Sequence, residues 1–179
     1  ADDVARLLDH LKISQAHVVG YSMGGAIANK VRERHPDRLL SVTLGGVGRD
    51  VTQWLAMRIT IGQIADTLRD GKGLKPLICA AFGGSLTPEQ IDQMNTDLMK
   101  DQAPLALAAV LDTYSDLNVS EMSLKENAVP TLVLVGEEAG ERPSAEEMAK
   151  MMNKATLVIV KDADHLKTPE QPQFLKAIL

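Results

Sequence analysis

The 179 residues, 45% of them hydrophobic, suffice for one domain with a real core, or a core with a small insert, and are too few for two independent domains. A formal net charge of −5, with no long Lys/Arg cluster, leaves no electrostatic footprint for nucleic acid. The apolar runs fall far short of the ~20 residues that span a bilayer, and no basic n-region with an apolar h-region opens the chain. Neither membrane insertion nor export is therefore expected, and a cytoplasmic protein is the reading. The lone Cys79, set in "LICAAF", has no partner for a disulfide or a metal site and reads as a core thiol.

Val4, Leu7, Leu8 and Leu11 repeat at helical spacing after Asp3, predicting an opening helix with that stripe buried. "AHVVG" is a short apolar run ending in Gly, the pattern of a strand covered on both faces. A helix is expected from Met23 to Arg34, stopping at His35-Pro36, and "LLSVTLGG" is a second buried strand.

Residues 47–124 change character. Trp54, Met57, Ile61, Ile64 and Leu68 keep helical spacing, and Leu74, Leu77, Ile78 and Ala81 resume it after the Gly71–Gly73 break. Thr87-Pro88-Glu89-Gln90 reads as a capping box for a helix through Ile91, Met94 and Leu98, with another helix from about Pro104 to Tyr114. Strands return in "VPTLVLVG" and "TLVIV". Ser144-Ala145-Glu146-Glu147 and Thr168-Pro169-Glu170-Gln171 read as caps of the intervening and final helices. Strands alternating with helices predict an α/β fold of about four parallel strands, with a core of 1–46 and 125–179 and an all-helical insert of 47–124.

The chemistry centres on "VVGYSMGG". Gly20-Tyr21-Ser22-Met23-Gly24 satisfies G-x-S-x-G, directly after a strand and directly before a helix. Such a turn projects a serine Oγ above the sheet, while the Met23 N–H and the helix N-terminus can stabilise an oxyanion. Both flanking glycines are expected to be small because a Cβ would strike the neighbouring strand and helix. A serine hydroxyl needs a base. His10, His17 and His35 each have structural explanations, at a helix end, before a strand and at a helix stop. His165 follows the last strand in the loop at its carboxyl end, the edge on which open α/β sheets carry their sites, although a metal cluster with Asp162 and Asp164 is a competing use. No zinc-like spacing and no dinucleotide or P-loop signature is present, so no cofactor and no metal are expected.

With "VVGYSMGG", "HPDRLLSVTLGG", "VPTLVLVGEEAG" and "DADHLKTPEQPQFLKAIL" in view, the chain resembles the α/β-hydrolase superfamily in its esterase-like form with a helical cap. The resemblance implies Ser22 as nucleophile, Met23 N–H as an oxyanion donor, His165 as base and 47–124 as a lid. Two departures stand out. The family's acid follows the penultimate strand in a G-x-x-D pattern, and that position holds Ala139. The carboxylates at hand are Glu137, Glu138 and Glu141, with Asp50 after the second strand, and proximity favours Glu138. The family also carries several strands before its elbow, together with a loop that gives a second oxyanion N–H. This sequence has no room for them and matches the family's fifth to eighth strands, a partial α/β-hydrolase fold.

The strand at 16–20 then becomes a sheet edge with unpaired backbone groups, which predicts a homodimer or another partner pairing along it. A serine hydrolase acting on a small apolar ester is the functional expectation. The alternative is a catalytically inactive or fragmentary hydrolase-fold module for binding or oligomerisation.

Overall fold

A computed structural model describes residues 1–49, 61–82 and 85–179. Two compact units are present, one of 1–51 with 117–179 and the other of 52–116.

In the first unit, α1 (Asp2–His10) leads into β1 (Ala16–Tyr21), α2 (Met23–Arg34) and β2 (Leu39–Gly45). The four described strands, completed by β3 (Thr131–Gly136) and β4 (Ala155–Val160), form one parallel sheet in the order β1-β2-β3-β4, as the alternation of strand and helix predicted. Val42 and Leu44 of β2 and Val133, Leu134 and Val135 of β3 are buried, because a parallel sheet covered by helices leaves no wet face for its central strands. At the edge, β1 has Val19 50% exposed. Because the strands run the same way in register, with Tyr21 beside Gly45 and Gly136 beside Val160, the loops after β1, β3 and β4 leave from one rim.

Helix α1 buries Ala5 and Leu8, whereas Leu7 and Leu11 of the predicted stripe are exposed. Chain return to the first unit comes at Leu117, ahead of the boundary at 125 read from the sequence. Hydrogen bonds explain the shift: Lys30 donates to the Asn118 carbonyl, and the Ser120 N–H donates to Glu33. The short helix α7 (Glu121–Lys125) is held in the same way. Arg32 of α2, 3% exposed, donates to Asn29 Oδ1, to the carbonyl and hydroxyl of Ser123, and to Asn127 Oδ1. Burial pushes its pKa down, since a desolvated guanidinium is costly, and four acceptors offset that cost.

Helix α8 (Arg142–Met151) begins before Ser144, so Ser144 is no cap. Its Oγ accepts from the Arg49 N–H, and Pro143 occupies the first turn, where the missing N–H is harmless. Thr168 likewise does not cap the last helix, α9 (Pro172–Ile178); it opens a 3-10 turn and donates to the Asp164 carbonyl.

In the second unit, α3 (Ile61–Arg69) and α6 (Pro104–Asp112) pack Ile64, Ala65 and Leu68 on Ala108, joined by Leu74, Met99, Leu107 and Leu111. Between them lie α4 (Lys75–Phe82) and α5 (Pro88–Met99). The Thr87/Gln90 capping box is present in both directions. Cys79 is exposed rather than in the core: Ile78, beside it on α4, takes the buried direction. Asp50, Trp54, Met57 and Ile59 lie outside the described residues. No described helix is long and apolar enough to cross a membrane.

Replacing Arg32 with Met strands buried acceptors on Asn29 and Ser123. A loss of about 3 kcal/mol is expected, read as a lowered midpoint in urea. Lys at this position recovers only part, having no fork of donors to span α2 and α7.

Candidate active site

Ser22 sits between β1 and α2 with φ 54° and ψ −122°, a conformation that costs a non-glycine residue about 1–3 kcal/mol. Two backbone bonds hold it there: its N–H donates to the Gly45 carbonyl at 2.9 Å, and its carbonyl accepts from the Ala26 N–H at 3.1 Å. The turn closes because Gly20 has no side chain; a Cβ there would lie 2.0 Å from the Gly24 carbonyl oxygen. Gly24 is different from the expectation. A Cβ on it meets nothing within 4 Å, and the close approach to the sheet is made by Gly25, whose Cβ would fall 2.7 Å from the Gly45 carbonyl oxygen. The second glycine of the G-x-S-x-G pattern is therefore not the one packing demands.

Although Ser22 occupies the N-cap position of α2, its hydroxyl caps no backbone N–H. Instead Ser22 Oγ lies 3.0 Å from His165 Nε2, across 143 residues of chain. On the other side of the ring, His165 Nδ1 is 2.5 Å from Glu141 Oε1. A carboxylate only accepts, so Nδ1 carries the proton and Nε2 is left to accept from the serine hydroxyl. His165 is 20% exposed and Glu141 only 2%.

The third group is thus Glu141 and not Glu138. After β3 the Glu137 N–H donates to the Val160 carbonyl and the Glu138 N–H to the Ala163 carbonyl, which leaves both glutamate side chains exposed. The chain then turns, with the Ala139 N–H donating to the Gly136 carbonyl and the Arg142 N–H to the Ala139 carbonyl, and Glu141 arrives as the residue before α8. Its other oxygen, Oε2, is buried without a hydrogen-bond partner among the described residues. A usable signal was present in Arg142-Pro143: proline belongs in a first helical turn, and a helix starting there puts position 141 at its N-terminal mouth.

The histidine loop is pinned by Asp164, whose Oδ1 accepts from the Leu166 and Lys167 N–H groups at 2.9 Å. These two bonds and the nearby Lys167 charge hold the Asp164 carboxyl below the usual carboxylate range. Tyr21, next to Ser22, donates its O–H to the His165 carbonyl. Burial, together with the charges of Glu141 and Asp164, pushes the Tyr21 phenol up to about 12, against the opposing effect of a hydrogen bond with Thr168. Met23, the first residue of α2, has its N–H among those left without an intrahelical acceptor and its side chain in solvent. His17 bonds Ser41 and His35 bonds Asp2, away from this group. Among the described residues, no three His, Cys, Asp or Glu side chains are placed to hold a metal ion.

A strand-turn-helix serine, an imidazole from the loop after the last strand and a carboxylate from the loop before it define the α/β-hydrolase class. The model of the alpha/beta hydrolase family matches residues 1–178, and the chain belongs to that family. It is 26% identical over 180 residues to 3-oxoadipate enol-lactonase 2 of Acinetobacter baylyi, covering 96% of this chain and 64% of that protein. It is 29% identical to the dihydrolipoyllysine-residue acetyltransferase component of the acetoin cleaving system of Cupriavidus necator, over 98% of this chain and 48% of that one. The chain therefore spans less than two thirds of the length of either relative. Among solved structures, an alpha/beta hydrolase enzyme from a Medee basin deep-sea metagenome library superposes with a TM-score of 0.75 at 21% identity, over 99% of this chain and 68% of that one. A thermophilic esterase from Thermogutta terrifontis does so with 0.72 at 26% identity, over 97% and 66%.

Two outcomes follow from this geometry. Gly20→Ala and Gly25→Ala are each expected to lose about 3 kcal/mol or more, whereas Gly24→Ala is neutral or gains up to about 1 kcal/mol from helix propensity; thermal melts of the three decide it. The Tyr21 shift gives a second. A phenol whose folded pKa lies above its unfolded value contributes stability that is complete below the usual 10.0 and is lost as pH rises towards about 12. Alkaline titration of stability should therefore fall more gently over that window in Tyr21→Phe than in the native protein.

Proposed function

We propose that the protein is a serine hydrolase that cleaves small carboxylic esters with an apolar acyl or alcohol part. The observation that carries this reading is the continuous chain from Ser22 Oγ through both nitrogens of His165 to Glu141. His165 Nε2 takes the serine proton as Oγ bonds the ester carbonyl carbon, and the oxyanion so formed is stabilised by the Met23 N–H at the positive end of α2. Collapse of this intermediate breaks the bond to the alcohol oxygen, which leaves with the proton from His165. Water then repeats the sequence on the acyl-enzyme, releasing the acid and restoring Ser22. Glu141 holds the imidazole in the productive tautomer and offsets its charge, the part that Glu138 was expected to play.

A cyclic ester is a variant of the same substrate. The Acinetobacter relative's name as an enol-lactonase favours testing lactones beside open-chain esters. We also propose that the outer edge of β1, residues 16–20, pairs with the same strand of a second copy. A two-fold seam there is self-complementary and would cover Val19.

A fluorophosphonate should label the native protein, and labelling should vanish in Ser22→Ala. Hydrolysis of p-nitrophenyl acetate should fall by about 10³–10⁴ in Glu141→Gln, which keeps the shape and removes the charge, while Glu138→Gln stays near the native rate. No labelling above the Ser22→Ala background would instead favour a non-catalytic binding or oligomerisation module. Sedimentation at micromolar concentration is expected to show a dimer, and a monomer would overturn the edge pairing.

A further inference from the structure

We infer that Tyr21 is a positioning residue that ties the histidine loop to the nucleophile turn through its hydroxyl; this role in catalysis rests on the reading of Ser22 and His165 above. Tyr21 is the last residue of β1 and precedes Ser22 in the chain. Its side chain does not stay with its own strand. It lies across the end of β2, where Gly45 and Gly46 leave room: a Cβ on Gly45 would fall 2.7 Å from Tyr21 Cδ2, and one on Gly46 would fall 2.8 Å from Tyr21 Cζ and 3.1 Å from His165 Cε1. Gly46 also has φ +63°, so any other residue there would be strained as well as obstructive.

Beyond the two glycines the ring meets both sides of the histidine loop. Its centroid is 5.3 Å from that of His165 at a 39° tilt, and 5.7 Å from that of Phe174 in an edge-on contact. Phe174 belongs with Leu134, Val160 and Ala163 to the apolar cluster under that loop. The hydroxyl then closes the span by donating to the His165 carbonyl. The same hydroxyl also bonds Thr168, just beyond His165 in the chain, so both of its partners lie on the histidine side of the site. A phenylalanine would fill the same space and make the same edge contact, so the oxygen is the part that needs an explanation. Because Tyr21 and Ser22 are adjacent, a bond from Tyr21 to the backbone of His165 fixes the distance between nucleophile and base through one side chain, independently of Glu141.

The test compares Tyr21→Phe with the native protein and with Tyr114→Phe, which makes the same chemical change at the chain's other tyrosine. The expected result is a fall in kcat of about tenfold to a hundredfold with KM unchanged, on the scale by which misplaced catalytic groups lose rate. A second readout needs no turnover: the proton on His165 Nδ1, shielded from exchange by its bond to Glu141, should give a far-downfield resonance that broadens or disappears in Tyr21→Phe and persists in Tyr114→Phe. Retention of both kcat and that resonance in Tyr21→Phe would overturn the inference. If the native protein neither labels with fluorophosphonate nor turns over, the hydrolase reading fails, and the resonance still decides whether the tyrosine positions the imidazole. Should Tyr21→Phe not fold, selective labelling of tyrosine in the native protein replaces it; hydroxyl exchange and ring flipping of Tyr21 at the rates of an exposed tyrosine would equally refute the tie.

Discussion

A single steric fact, the approach of the Gly20 backbone to the start of α2, governs how this molecule can present a serine. With the Gly24 carbonyl oxygen only 2.0 Å from where a Cβ would sit, the chain reverses from strand to helix in the fewest possible residues. Ser22 is left at the crest with a positive φ. That strain persists because both flanks over-determine it: Gly45 accepts its N–H, and α2 is anchored below by Arg32 and by the contact of Gly25 with β2. The elbow is thus a product of sheet packing, and its chemistry is borrowed from that rigidity.

Parallel strands supply the rest of the placement. Each of β1, β3 and β4 ends at the same rim, so residues 22, 141 and 165 meet although no two are near in sequence. Rim glycines make the meeting close. Gly136 lets Ala163 and Thr168 lie against the end of β3, since a Cβ there would fall 2.2 Å from the Ala163 carbonyl oxygen. Gly45 and Gly46 do the same for Tyr21.

The elbow and the histidine were legible in sequence because each is signalled by its position relative to a strand, and the strands are marked by apolar runs such as "TLVLVG" and "TLVIV". Glu141 was not legible, because an offset from a strand does not say how the intervening loop folds. Two backbone bonds to Val160 and Ala163 turn Glu137 and Glu138 outward, and these depend on β4, which lies later in the chain. The Leu7 and Leu11 stripe misled for a related reason: helical spacing locates an apolar face but does not say how wide a strip the neighbouring element covers, and here that strip centres on Ala5 and Leu8. Ser144 and Thr168 looked like caps because they precede acidic or amide residues at the right spacing, yet each hydroxyl serves a contact from elsewhere, with Arg49 and Asp164.

Strand order that follows chain order has a bearing on how the molecule is made. Each of β2, β3 and β4 finds its described neighbour already made when it leaves the ribosome, so these strands can add in turn without rearrangement. Ser22 precedes three of these strands, whereas His165, whose ring nitrogen it meets, arrives only with the loop after β4. During synthesis the Ser22 hydroxyl therefore gains its imidazole contact only after the crossover from β3 to β4 has docked, so the turn takes shape ahead of its partner.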